Sequence, residues 1–159
     1  MDAGEAPLRA RMGVCQQGPG ATGVREELLE RTHAGLGFDY ASVADELDGL
    51  ARDLVRAEDY ERAAGCLGEI LRIRLATLGA EDPATLATML SGLRVAIELE
   101  RWDEVETLAR ECYEAHVRVL GAADSNTEKC LRVIVEAHEK QGDEVQAETW
   151  RAKLQGAGG

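Results

Sequence analysis

Leu78-Gly79-Ala80-Glu81-Asp82-Pro83 is the stretch on which the reading of this chain turns. It returns in outline as Leu36-Gly37-Phe38-Asp39-Tyr40 and as Leu120-Gly121-Ala122-Ala123-Asp124, with 42 residues from each copy to the next. A fixed period in this range marks a stacked repeat, in which each unit buries its apolar face against its neighbours. The phrase is also a stop-and-start signal for helices. Gly37, Gly79 and Gly121 stand where a helix end favours a left-handed residue with no Cβ penalty. Asp82 can accept from the free N–H groups of a new first turn, and Pro83 suits the first helical position, where no donor is needed. Asp124-Ser125 offers the same cap without the proline. The leucine before each glycine is expected to close the preceding helix onto the stack.

Working outward, the period places a first helix over 22–35, which carries Val24, Leu28 and Leu29 and reads as half of an incomplete unit. Helix pairs follow at 41–57 and 60–77, at 84–100 and 103–119, and at 126–141 and 144–154. Residues 1–20 read as a flexible leader and 155–159 as a disordered tail. The domain layout is therefore a half unit at 21–36 and units at 37–78, 79–120 and 121–154. Tyr60 and Trp102 share one phase, where one helix turns into the next, and each is followed by an acid in the first turn of the second helix, where the dipole favours negative charge. The last unit departs from this. Glu144 takes the aromatic place and Trp150 lies six residues on, as expected of a terminal unit with one side in solvent.

Composition agrees with an all-α chain. Ala, Leu, Glu and Arg dominate the body, and proline occurs only at Pro7, Pro19 and Pro83. The net charge is −12, from 30 acids and 18 bases. That sign argues against nonspecific binding to nucleic acid or anionic membrane, because duplex binding rests on neutralising phosphates. No stretch approaches the roughly 20 apolar residues of a membrane span, and Met1-Asp2-Ala3-Gly4-Glu5 lacks the basic start of a signal peptide. A cytoplasmic location is expected. Cys15, Cys66, Cys112 and Cys130 show no CxxC spacing and read as small buried apolar residues of a reduced protein.

The residues resemble tetratricopeptide repeats, in the 42-residue form found in kinesin light chain and many bacterial proteins. The matching motifs are Leu78-Gly79-x-Glu81-Asp82-Pro83-Ala84-Thr85-Leu86 and Trp102-x-Glu104-Val105-Glu106, with Ile70-Leu71-x-Ile73-Arg74 leading into Leu78-Gly79. The nineteen-residue step from Pro83 to Trp102 fits the family spacing, and the resemblance covers about residues 22–154. It implies a short right-handed α-solenoid of antiparallel helix pairs, about seven helices in all. It also implies a concave groove, lined by the first helix of each pair, that receives a peptide or partner segment.

Carried over by position, the first pair offers Asp45, Asp48, Gly49, Arg52, Val55 and Arg56 to that groove. The second offers Ala87, Leu90, Ser91, Arg94, Ile97 and Glu98, and the third Lys129, Arg132, Val133, Glu136, Glu139 and Lys140. Six of these are basic and five acidic, so the strip is +1 on a chain of −12. Arg52 and Arg94 share one repeat phase and could together clamp a carboxylate, or each could pair with a neighbouring acid such as Asp48, Glu98 or Glu136. The family's light-chain members carry paired asparagines in the first helix; here those positions are Asp48-Gly49, Leu90-Ser91 and Arg132-Val133, which leaves charge and apolar contact as the grips.

Catalytic machinery and cofactor motifs are not expected. Cys112 and His116 lie four apart, ligand spacing for a metal, but no acid or second histidine joins them at a compelling spacing, so no metal site is assigned. Gly18-Pro19-Gly20 is no phosphate loop, and Glu136-Ala137-His138-Glu139 lacks the two-histidine spacing of a metalloprotease. The sequence therefore points to a binding adaptor with a protein or peptide partner. The alternatives are a self-assembling structural module that forms a homo-oligomer through its terminal helices, and a small-ligand sensor built on the Cys112/His116 neighbourhood.

Overall fold

Each helix boundary is set by a short polar or left-handed element, and those elements recur with the sequence period. In the computed structural model residues 40–157 are described; the expected half unit with Val24, Leu28 and Leu29 lies outside them, as do Gly37 and the whole of the 1–20 leader. Six helices form: α1 (Tyr40–Arg56), α2 (Tyr60–Thr77), α3 (Pro83–Glu98), α4 (Trp102–Leu120), α5 (Ser125–Gln141) and α6 (Glu144–Ala157). No strand occurs among the described residues. The expected helix bounds agree with these to within three residues at every end. No helix among the described residues is long and apolar enough to cross a membrane.

The starts of α2, α4 and α6 are 42 residues apart, as are those of α3 and α5. The turns inside the pairs put Glu58, Glu100 and Gly142 at one phase, all with positive φ (59°, 54° and 77°). The turns between the pairs do the same with Gly79 and Gly121, both at φ 89°. Gly121 has ψ 168°, a region open in practice to glycine alone. Asp82 and Asp124 each accept from the backbone N–H two residues on, Ala84 and Asn126, at 2.8 Å. The missing donor of Pro83 falls at the first turn of α3, as its sequence position implies.

The chain divides into two compact units between Gly79 and Ala80. In the first, α1 and α2 form a hairpin. α1 buries Ala44, Leu47, Ala51 and Leu54, a spacing that keeps one stripe inward. Cys66, Ile70, Leu71 and Ile73 of α2 are at most 3% exposed, and complete burial of an isoleucine or leucine contributes about 1.5–3 kcal/mol. Arg74, near the end of α2, reaches Asp45 (3.6 Å) and Asp48 (3.9 Å), near the start of α1, which marks the pair as antiparallel.

In the second unit, α3, α4, α5 and α6 pack each on the next. One core joins all four: Leu93 and Ala96 from α3, Val105 and Ala109 from α4, Leu131, Ile134, Val135 and Ala137 from α5, Ala147 and Trp150 from α6. Contacts between opposite ends confirm the alternation of direction. Arg118 of α4 meets Glu81 before α3 at 3.5 Å, and Gln141 Nε2 donates to Asp103 Oδ1 across the other turn at 3.0 Å.

Two sequence expectations need correction. Leu78 and Leu120 do not close their helices onto a core; they are 53% and 47% exposed, because the apolar stripe overruns the packed end of each hairpin. Residues 155–157, read from the sequence as part of a disordered tail, instead continue the last helix, which is anchored by Trp150. Trp150 stands 42 residues after Leu108 and 84 after the buried Cys66, a core phase, and is itself only 8% exposed, edge-on to Tyr113 with ring centroids 6.0 Å apart.

Gly121→Ala should destabilise the protein by about 1–3 kcal/mol, since no neighbour lies within 4 Å of an added Cβ and the cost is backbone strain alone. Urea unfolding followed by circular dichroism checks this, and a variant equal to wild type would contradict the strain argument.

Candidate functional site

The expected first-helix residues are exposed or half-buried on α1, α3 and α5. On α1, Arg52 turns back on its own helix: Nη2 is 3.4 Å from Asp48 Oδ2, and Nε donates to the Asp48 carbonyl at 3.2 Å. Arg56 does the same with Asp53 at 3.0 Å. The acids Asp45 and Asp48 are engaged by Arg74 from α2, whose side chain is only 13% exposed. Sequence reasoning left Arg74 out because it counted only first-helix residues; its charge offsets one of those two acids.

On α3, Ser91 donates its hydroxyl to the Ala87 carbonyl at 3.0 Å, Leu90 is half-buried, and Ile97 packs against the core. Arg94 and Glu98 are both exposed and four residues apart, yet neither has an ion pair among the described residues. Arg94 is thus the candidate arginine left available to a ligand. On α5, Lys129 donates to Asn126 Oδ1 at 3.1 Å, and Arg132 pairs with Glu128 at 3.6 Å rather than with Glu136. Lys140 lies over the Trp102 ring at 5.6 Å, Glu136 is exposed, and Glu139 is bonded by Arg151 of α6. Within the second unit, no hydrogen bond or ion pair among the described residues joins a candidate on α3 to a candidate on α5.

The second unit also gathers polar chemistry in its interior. Cys112 and His116 of α4 and Cys130 of α5 are 0%, 1% and 0% exposed, and the two Sγ atoms and one imidazole nitrogen all lie within 4.8 Å of one another. His116 Nδ1 is 2.7 Å from the Cys112 carbonyl, so it carries the ring proton in this arrangement, and 3.5 Å from Cys112 Sγ. The two thiols share a hydrogen bond. That bond, with burial, pushes Cys112 well above the ordinary thiol range. The same bond holds Cys130 down, helped by its own backbone and by Lys129, although burial opposes this. Sequence reasoning paired Cys112 with His116 but missed Cys130, which the α4–α5 packing brings up from the next helix.

A further buried imidazole, His138 on α5, is 3% exposed, and neither ring nitrogen has a hydrogen-bond partner among the described residues. Its Nε2 is 3.7 Å from Glu106 Oε1, an oxygen that already lies 2.8 Å from Arg110 Nε. Arg110 in turn stands 5.0 Å over Trp150. The period places Ala96 and Leu54 at the phase of His138, so an apolar residue is at home there.

No protein-family model matches this chain, and no curated protein matches it either.

His138→Leu removes a buried polar ring while keeping its approximate volume, and should raise stability by about 1 kcal/mol, since an unsatisfied buried group costs roughly 1–3 kcal/mol. Thermal or urea unfolding reads this directly, and a loss of stability would show that the imidazole is held by Glu106.

Proposed function

We propose that this chain is a tetratricopeptide-like adaptor that binds a peptide or protein segment along the first helices of its hairpins, α1, α3 and α5. The observation that carries the reading is the 42-residue recurrence of the backbone itself: helix starts at 60, 102 and 144, and positive φ at 58, 100 and 142 and at 79 and 121. Hairpins that recur with one period carry equivalent positions in each first helix, which suits the gripping of an extended or helical segment. In the resembled repeats those faces form the concave side of a solenoid.

Arg94 supports the reading further. It is exposed mid-helix with no ion pair among the described residues, and Leu90 and Ile97 beside it are half-buried. A partner carrying a carboxylate next to an apolar side chain fits that combination. The Arg52 ion pair is solvent-exposed, so exchanging Asp48 for a ligand carboxylate costs little. The protein is read as a binding module and not a catalyst, acting in the cytoplasm without nucleic acid or membrane as partner.

Self-association remains a second reading, favoured by one observation: Val145, in the first turn of α6, is 76% exposed. Light scattering at low micromolar concentration separates the two, since a strictly monomeric mass removes the homo-oligomer.

The adaptor reading is tested by affinity capture with mass spectrometry, followed by the double charge reversal Arg52→Glu and Arg94→Glu. Captured partners should bind at least about tenfold more weakly to the variant, each lost charged contact being worth about 1.5–3 kcal/mol, while its helical circular dichroism stays at the wild-type level. Undiminished binding would contradict the assignment of this face.

A further inference from the structure

We propose that Cys112, His116 and Cys130 form a buried site for one soft d10 cation, Zn²⁺ or Cu⁺, which clips α4 to α5. Three observations converge on it. The three ligand atoms lie within 4.8 Å of one another and come from two helices, so a single ion can reach all of them. The 3.5 Å between Cys112 Sγ and His116 Nδ1 is close to the edge of about 3.6 Å that follows from a tetrahedral ion with Zn–S about 2.3 Å and Zn–N about 2.05 Å. All three side chains are enclosed, flanked on their own helices by buried Ala109, Ala115, Thr127, Leu131 and Ile134. Enclosure of this kind excludes the hard, hydrated cations Mg²⁺ and Ca²⁺, and thiolate with imidazole is a donor set for zinc and copper.

The repeat supplies an internal control. One period earlier, the phases of Cys112, His116 and Cys130 are occupied by Ile70, Arg74 and Thr88. Each of those residues stands in a helix at the same repeat phase, so the helical period does not require two thiols and an imidazole at these positions. They come together where α4 packs on α5, the second helix of one pair on the first helix of the next.

The protonation balance is simple. Binding deprotonates both thiols and releases two protons to solvent, while the His116 proton moves from Nδ1 to Nε2 and the ring turns so that the freed Nδ1 lone pair leaves the Cys112 carbonyl and faces the ion. The Cys112 carbonyl keeps its place as a helix acceptor. With Zn²⁺ the two thiolates and neutral imidazole leave the site uncharged, which suits the interior; with Cu⁺ the site carries −1 but is satisfied by three ligands.

The test uses the full chain, purified reduced and stripped of metal. Zn²⁺ is titrated against a chromophoric zinc chelator, and Cu⁺ under anaerobic conditions against a copper(I) chelator. The proposal expects one equivalent of at least one of the two ions to be taken up. Co²⁺, used as a spectroscopic stand-in for zinc, should give thiolate-to-metal charge-transfer bands if the site takes the divalent ion. Cys130→Ser and His116→Gln should each lower the affinity by more than about 100-fold, a larger loss than removal of an outer-shell partner gives, while Cys66→Ser, a buried thiol of the first unit, leaves it unchanged. The wild-type titration does not depend on any variant folding. Failure of the reduced wild-type chain to bind either ion overturns the proposal, and so does uptake that Cys130→Ser and His116→Gln leave at the wild-type level.

Discussion

The constraint on which the rest of this structure depends is the reversal of the chain at fixed intervals. Each helix is long enough to bury a stripe but too amphipathic to stand alone, so it must be turned back onto a neighbour after a set number of residues. The turns accomplish this with backbone conformations that most residues resist. Gly79, Gly121 and Gly142 take positive φ without a Cβ penalty, whereas Glu58 and Glu100 accept the strain of the left-handed region at the equivalent phase. At every one of these turns but that of Glu100, where Arg101 makes no side-chain cap, an aspartate then accepts from a free N–H group of the next helix. Burial supplies the driving force, but these turns decide which faces are buried. They also decide which faces are left over, and the candidate binding residues belong to that remainder.

Much of this was legible because it is local. A glycine at a helix end, an aspartate before a proline and a leucine stripe are read from neighbours in the chain, so helix positions and phases came out close to those observed. What escaped was decided by contacts distant in sequence. Whether Leu78 and Leu120 are covered depends on where the packed region ends, and a periodic stripe carries no mark for that. Trp150 was referred to the aromatic phase of Tyr60 and Trp102, although its spacing from Leu108 and Cys66 already placed it in the core. Cys130 could not be joined to Cys112 and His116 by spacing within one helix. The usable signal was that all three fall at inward phases of two helices consecutive in the chain, α4 and α5.

The candidate face was legible in position but not in state. Its residues are exposed or half-buried on α1, α3 and α5, because exposure there follows from the same 3.6-residue period that buries the opposite stripe. Their ion pairs were not foreseeable, since they depend on rotamers. Arg132 choosing Glu128 over Glu136, and Arg74 crossing from α2 to serve Asp45 and Asp48, are examples. The outcome leaves one arginine, Arg94, distinct from its fellows. The interior follows a different logic: where the preceding repeat has Ile70, Arg74 and Thr88, the second unit has two thiols and an imidazole, and its polar chemistry is therefore internal as well as superficial.

The adaptor account turns on which helix of each pair meets a partner. Amide hydrogen exchange, measured by mass spectrometry on the free chain and on its complex with a captured partner, resolves this helix by helix. The account predicts added protection within 45–56, 87–98 and 129–140, the segments of α1, α3 and α5 that carry the exposed candidate residues. Protection confined to α2, α4 and α6, with the first helices unchanged, would contradict it.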